Sequence, residues 1–404
     1  MPPPADRRNP DTESVGAGHD ALDHLCSLKP PVYETSTFVF ANAEEGKRFF
    51  EQAYGPEAAA PGYIYSRLDS PNLAPAEARL AVWEEAEDAA IFASGMAAIT
   101  SVLLTFLRPG QLVLYSMPVY GGTATLMKGL LTDFGVVTRA FRSVTTPDEI
   151  ERLIGDELAM IYVETPANPT NDLVDIGAMA ELGTRYDARV VVDNTFLSPV
   201  WQKPLVHGAD LSLHSATKYL GGHSDLTAGA VCGGKDDVAA LRRTRYELGT
   251  TPSPGTAWLL GRSLETLRLR VERQTSNATE IARFLADHPK VARVSHPSLL
   301  GPGDPGHETY RRQCLGPGAM ISFEILGGEE ECFRFLDAME VVRLATSLGG
   351  TESLASHPWT MSPPSASDAD KREIGVTPGL IRLSVGIEDP QDLVSDLEEA
   401  LAKV

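Results

Sequence analysis

Cysteine is scarce in this sequence: 404 residues contain four, Cys26, Cys232, Cys314 and Cys332, and no two form a C-x-x-C pair. That spacing excludes a disulfide framework and a cysteine zinc site, and predicts free thiols in a reducing cytoplasm. No apolar run of about 18 residues occurs, so no membrane-spanning helix is expected. The opening segment, Met1 to Pro10, is polar and Pro-rich, with none of the apolar stretch that marks a signal peptide. Basic residues are in the minority, 35 Lys and Arg against 55 Asp and Glu, for a formal charge of −20. A phosphate-backbone partner needs clustered cations, so nucleic acid is excluded and the charge reads as solubility.

Several familiar signatures are also missing. There is no G-x-x-x-x-G-K-[ST], no H-E-x-x-H and no G-x-S-x-G. Gly16-Ala17-Gly18-His19-Asp20-Ala21 mimics a dinucleotide fingerprint but follows no strand, which argues against a nucleotide-binding oxidoreductase. His214 and His223 have no acidic or cysteine partner at ligand spacing, so both read as structural and no metal is expected.

What is present is a long α/β pattern. Residues 1 to about 20 read as mobile, and Val32 to Phe40 as a strand or an arm laid on another surface. Ser70-Pro71 predicts a helix over 71–85, with Ser70 as cap. From residue 88 to about 230 short apolar runs alternate with helical stretches, predicting a mostly parallel sheet covered on both faces. Strands are expected at Ala89–Phe92, Leu112–Tyr115, Met160–Glu164, Arg189–Asp193 and Leu211–His214. A single long helix over about 256–287 should bridge into a smaller α+β C-terminal domain. Its strands are expected at Val291–Val294, Ala319–Glu324, Val341–Arg343 and Leu380–Val385, with loops at Gly301–Gly306 and Met361–Asp370 and a last helix from Asp389 to Val404. The expected division is an arm over 1–68, a large central domain over 69–270 and a C-terminal domain over 271–404.

The polar clusters fall at the carboxyl ends of the apolar runs, where α/β sheets gather their ligands. Ser215-Ala216-Thr217-Lys218 places a lysine between hydroxyls, and Asp193 ends a neighbouring strand. A lone lysine at a helix start commonly faces solvent. Here the hydroxyls, Gly221-Gly222 and Asp193 reverse that reading: a Schiff-base lysine and a carboxylate for a pyridine nitrogen are what pyridoxal phosphate chemistry needs. Ser94-Gly95-Met96 opens a helix and offers a hydroxyl and two N–H groups to an anion. Tyr65 and Arg67 add candidate donors, Tyr120 a ring that can stack, and Arg382, inside an apolar run, a clamp for a carboxylate.

In chain order, Tyr65-Ser66-Arg67, Ser94-Gly95-Met96, Tyr120-Gly121-Gly122-Thr123, Glu164 to Thr170, Val192-Asp193-Asn194-Thr195, Ser215 to Tyr219, Ser347-Leu348-Gly349-Gly350 and Arg382 to Gly386 resemble the Cys/Met-metabolism family of pyridoxal phosphate enzymes. The resemblance runs from about residue 27 to the C-terminus. It implies a fold-type I enzyme acting on sulfur amino acids, a cytoplasmic homotetramer built of two catalytic dimers. It further implies that Lys218, Asp193 and Tyr120 are catalytic. Ser94, Gly95, Met96, Ser215 and Thr217 would hold the cofactor, with Tyr65 and Arg67 reaching the neighbouring subunit's phosphate. Asn168, Ser347 and Arg382 match the positions that orient the substrate. Ser70-Pro71-Asn72, Gly122, Ala124-Thr125 and Thr346 depart from the patterns of individual branches, while Tyr219 to Asp225 and Ser353 to Pro358 stand nearer the γ-lyases. The expected reaction is γ-elimination by a carbon–sulfur lyase, with γ-replacement as the alternative.

Overall fold

The computed structural model describes residues 8–53, 62–155, 157–362 and 367–404. Seven strands build the larger sheet: β1 (Asp88–Phe92), β2 (Leu112–Met117), β3 (Val137–Arg142), β4 (Leu158–Glu164), β5 (Arg189–Asp193), β6 (Leu211–His214) and β7 (Gly229–Gly233). Their order is β1-β7-β6-β5-β4-β2-β3. Every neighbouring pair is parallel except the two that involve β7. A parallel sheet covered on both sides needs strands that are apolar throughout, and β1, β5 and β6 are buried nearly end to end.

The second sheet holds β8 (Val291–Ser295), β9 (Met320–Ile325), β10 (Arg343–Leu344), β11 (Leu354–Ser356) and β12 (Leu380–Ser384), in the order β10-β11-β12-β9-β8. One apolar core joins the two parts, running from Leu73, Leu80 and Trp83 through Leu260, Leu264 and Val271 to Phe323, Phe335 and Leu397.

Several expected elements differ. The stretch expected to be mobile contains a helix from Pro10 to Gly16, capped by Asn9 and tied by its Asp11 to Arg268 at 2.8 Å; residues 1–7 lie outside the described residues. Val32 to Phe40 is an extended arm, not a strand, with one bridge from Thr37 to Tyr65. The helix expected over 71–85 spans Leu73–Glu84, and Ser70 is not its cap. Asn72 stands at that position, but its side chain holds the arm instead, accepting from Tyr33 N at 2.8 Å and donating to Pro31 O at 2.7 Å. The long helix is two, Pro254–Leu264 and Leu267–Asp287, separated at Glu265-Thr266. Part of the loop expected over Met361–Asp370 is the start of a short helix, Asp368–Glu373, while 363–366 lie outside the described residues.

Beneath the site, Glu77 of the Leu73–Glu84 helix is buried and accepts from Arg245 at 2.6 Å, Arg242 at 2.8 Å and Ile91 N at 3.1 Å. The two guanidinium groups hold its carboxyl below the usual range against the opposing effect of burial. This cluster pins β1 to two helices.

Candidate active site

A cavity of about 240 Å³ opens at the carboxyl ends of β4, β5 and β6. It is lined by Ser94, Gly95, Met96, Tyr120, Asn168, Asp193, Ser215, Thr217 and Lys218, all expected from the sequence. Lys218 follows β6 in a tight turn, its N–H donating to Ser215 O at 3.0 Å. Its Nζ donates to Ser347 Oγ at 2.7 Å. Burial, and secondarily the charge of Arg382, lower its pKa to about 8. A fraction of the amine is therefore neutral and nucleophilic near neutral pH.

Asp193 ends β5 and is 5% exposed. Thr195 donates to Oδ1 from its hydroxyl at 2.5 Å and from its N–H at 3.1 Å, and Tyr162 donates to Oδ2 at 3.2 Å. Glu164 ends β4 in register with Asp193. Burial, then the neighbouring Asp193 charge, push the Glu164 carboxyl up to about 8. Two adjoining buried carboxyls cannot both ionise cheaply, and the donors on Asp193 make it the better anion. Glu164 meanwhile accepts from Tyr120 N at 2.7 Å and Asn168 N at 2.9 Å, fixing the two residues at the cavity mouth.

The helix Gly95–Phe106 points its first turn at the cavity. Leading N–H groups of a helix have no partner within it. Ser94 answers one of them, its Oγ accepting from Ala97 N at 3.0 Å, while its carbonyl takes the first helical bond from Ala98 N at 3.0 Å; ahead of these stand Gly95 and Met96. A Cβ on Gly95 would lie 2.9 Å from Ser215 Oγ, so glycine alone lets helix and strand end close into one cradle. Thr217 Oγ1 is already engaged, donating to Ala228 O at 3.2 Å and accepting from Ala228 N at 3.0 Å.

Arg382, on β12, reaches the other end. It donates to Asn168 Oδ1 at 3.1 Å and to Ser347 O at 2.9 Å, while its Nε is buried with no partner. Burial lowers its pKa to about 10. A desolvated cation whose neighbours here are neutral oxygens, with a donor unused, is suited to a carboxylate. Ser347 carries φ +86°, a conformation side chains rarely adopt, held by Lys218 on its hydroxyl and Arg382 on its carbonyl.

Tyr65 and Arg67 do not join this cavity. They line a separate apolar groove with Phe38 and Phe40, and the Arg67 guanidinium lies 4.6 Å from the Tyr246 ring centre. Besides the apolar Ile99, Phe196 and Leu348, the cavity residues that sequence reasoning passed over are Glu164 and Thr195. Both stood inside quoted clusters, and an acid ending the strand beside the one that carries Asp193 was the available signal. His214, expected to have no acidic partner, is paired with Glu84 at 2.5 Å. The two lie 130 positions apart, beyond any local spacing rule.

The donor set fits a phosphorylated pyridine: an anion cradle, a buried carboxylate for a ring nitrogen, and an amine of lowered basicity between them. Comparison with known proteins agrees. Residues 11–402 match the model of the Cys/Met metabolism PLP-dependent enzyme family. The chain is 42% identical over 393 residues to an L-methionine gamma-lyase of Pseudomonas deceptionensis, covering 96% of each chain. It is 40% identical over 393 residues to a cystathionine gamma-synthase of Mycobacterium tuberculosis, covering 97% of this chain and 96% of that one. A solved cystathionine gamma synthase of Xanthomonas oryzae pv. oryzae superposes with a TM-score of 0.90 at 35% identity, covering 98% of both chains. The chain belongs to the Cys/Met metabolism PLP-dependent enzymes and is a pyridoxal-phosphate-dependent enzyme of sulfur amino-acid metabolism.

Proposed function

We propose that this enzyme is a carbon–sulfur lyase that performs γ-elimination on a sulfur amino acid, in the manner of a methionine or cystathionine γ-lyase. The observation that carries the reading is the contact chain Lys218–Ser347–Arg382. An amino-acid carboxylate received by Arg382 and Asn168 has its Cα and Cβ beside the Lys218 amine. Bound pyridoxal phosphate supplies an electron-withdrawing ring that accepts the electron pair left when a proton is removed from Cα.

Each protein group then has one task. Gly95, Met96 and Ser215, with Ser94, would hold the phosphate, Thr217 joining them if its hydroxyl turns from Ala228 O, and Asp193 would hold the ring nitrogen. Lys218 would hold the cofactor through its amine; with substrate in the site, that amine removes the Cα proton and assists removal of a Cβ proton. Tyr120, half-exposed at the mouth and fixed through its N–H by Glu164, donates a proton to the departing sulfur. Ser347, Asn168 and Arg382 keep the substrate in register. Water completes the balance: methionine and water give a thiol, ammonia and a 2-oxo acid.

Elimination is preferred over replacement on two grounds: the stretches Tyr219 to Asp225 and Ser353 to Pro358 stand nearer the γ-lyases, and so do relatives of the chain. Methionine γ-lyases stand among the relatives near 40% identity. Thr346, exposed beside Ser347, offers a hydroxyl and not a carboxylate for a distal ammonium group, which weakens recognition of cystathionine in either reaction. Gly122 stands where methionine γ-lyases typically carry a cysteine, which weakens a strict methionine assignment, so the assay must span several substrates and both reactions. Holoenzyme is given methionine, homocysteine, cystathionine, cysteine and O-acetylhomoserine, each with and without an added thiol. The reading predicts equal amounts of 2-oxo acid and ammonia without the thiol; products that form only with it would establish replacement.

The functional unit we propose is a cytoplasmic homotetramer of two catalytic dimers. The 1–68 arm serves the neighbouring site, 69–270 binds the cofactor and 271–404 carries the substrate clamp. Supporting this, Tyr65 and Arg67 lie outside their own chain's Lys218 cavity. The four cysteines are free, as a reducing compartment requires, and among the described residues no helix is long and apolar enough to cross a membrane. Sedimentation of Arg67→Ala with and without pyridoxal phosphate tests the arm's role: weakened cofactor binding in an intact tetramer supports it, and unchanged binding contradicts it.

A further inference from the structure

Behind the Asp193 strand lies a buried acid–base pair to which the reaction above assigns no task. Glu84, at the end of the Leu73–Glu84 helix, is fully buried, and its Oε1 is 2.5 Å from His214 Nε2. The same oxygen accepts from Ser212 Oγ at 2.9 Å and from Asn194 Nδ2 at 3.1 Å, while Oε2 is buried with no partner. A carboxylate cannot stay charged in such a place without a cation. His214 is the titratable group that touches it, and the imidazole is 1% exposed.

The pair reaches Asp193 by two routes. Asn194, the next residue after Asp193, donates to Glu84. His214 follows Leu213, the β6 residue that pairs with Asp193 across the sheet. We propose that Glu84 and His214 form a positioning unit for the cofactor ring: an ion pair behind β5 whose imidazolium member favours the Asp193 anion and thereby keeps the pyridine nitrogen protonated. This rests on the reading that Asp193 holds that nitrogen.

The electrostatics run the same way. Burial pushes the Asp193 carboxyl up, and the hydrogen bond from Thr195 and the charge on His214 oppose it. Glu84 is held below the usual range by His214, Lys203 and Ser212 against the effect of burial. Other titratable groups facing the pair do not supply the cation at Asp193. Lys203 is 3.1 Å from Glu85, and Cys232 on β7 is held as a neutral thiol by burial and by Glu84. On the Asp193 side Tyr162 is a neutral phenol pushed well up by burial, and Glu164 adds only negative charge.

The test reads the ring nitrogen and not turnover. Holoenzyme reconstituted with ¹⁵N-labelled pyridoxal phosphate reports the protonation of that nitrogen by NMR, and titration of apoenzyme gives the cofactor Kd. Glu84→Gln and His214→Gln keep hydrogen-bonding groups; the second removes the imidazolium, and the first removes the carboxylate that holds it charged. Both should move the resonance toward the unprotonated position and raise the Kd about tenfold, one pKa unit of lost support. Ser212→Ala removes a hydrogen bond on the same oxygen and no charge, so its resonance should stay at the wild-type position even if its Tm falls. Either Gln variant suffices should the other fail to fold. A protonated nitrogen in the Gln variants, with Asp193→Asn deprotonated, overturns the proposal alone. A protonated nitrogen in Asp193→Asn overturns the reading beneath it.

Discussion

At one end of the Lys218 cavity, Gly95 and Met96 stand on the first turn of a helix and Ser215 at a strand end of the same sheet. At the other end, Arg382 reaches from the second sheet to Asn168, 214 positions away in sequence, and to the left-handed Ser347. The first end is assembled from elements that belong to or follow strands of one sheet. The second exists only while two sheets are held together, and its geometry is maintained by hydrogen bonds between residues far apart in the chain. The difference suits the two tasks proposed for the ends: one to hold a cofactor through many turnovers, the other to admit and release a substrate. Lys218 sits between them, touching Ser347 of the second end from the first.

Substitutions sort by end. Lys218→Ala should remove the visible absorption of the cofactor-bound enzyme and lower turnover by roughly 10³-fold or more, since both the anchor and the base are lost. Absorbance and 2-oxo acid release check it together. Arg382→Ala acts chiefly at the second end: the absorption should persist while KM rises roughly 10- to 100-fold, the loss of one charge-assisted bond or more. Cofactor loss in Arg382→Ala would break the division between the ends.

Gly122 tests the mouth between them. A Cβ there would stand 2.6 Å from the Tyr120 ring and 2.9 Å from Met96 Sδ. Displacing them costs about 1–3 kcal/mol, so Gly122→Ala should reduce kcat/KM on the order of tenfold with the cofactor retained. The smallest effect is a pH dependence at the first end. Lowered to about 8, Lys218 gains neutral amine as pH rises and levels off above that value. Capture of pyridoxal phosphate by apoenzyme, followed by stopped-flow absorbance, should accelerate about fivefold from pH 7 to pH 8 and flatten thereafter.

The two ends also differed in how far they could be read from sequence. Asp193 and Lys218 follow apolar runs whose bounds, Arg189–Asp193 and Leu211–His214, are those of β5 and β6. Burial on both faces leaves no other pattern for such strands. β3 escaped notice because an edge strand needs no apolar run, and Val137-Thr138-Arg139-Ala140-Phe141-Arg142 is exposed at two of its six positions. β7, Gly229-Ala230-Val231-Cys232-Gly233, has glycine at both ends and read as a boundary, and β11 is only three residues long. Arg382 stood out as a cation within an apolar run, whereas Asn168 and Ser347 were reached only by resemblance. Their relation to Arg382 is a contact between sheets that no local spacing encodes. Glu84 and His214 were hidden for the same reason.

The account turns on Lys218 as the residue that holds the cofactor. Borohydride reduction of the holoenzyme, followed by proteolysis and mass mapping, fixes the cofactor irreversibly to whichever amine bears it. The account predicts one modified peptide, the one that contains Lys218, in near-stoichiometric yield. A modified peptide carrying another lysine in its place, or none, would contradict it.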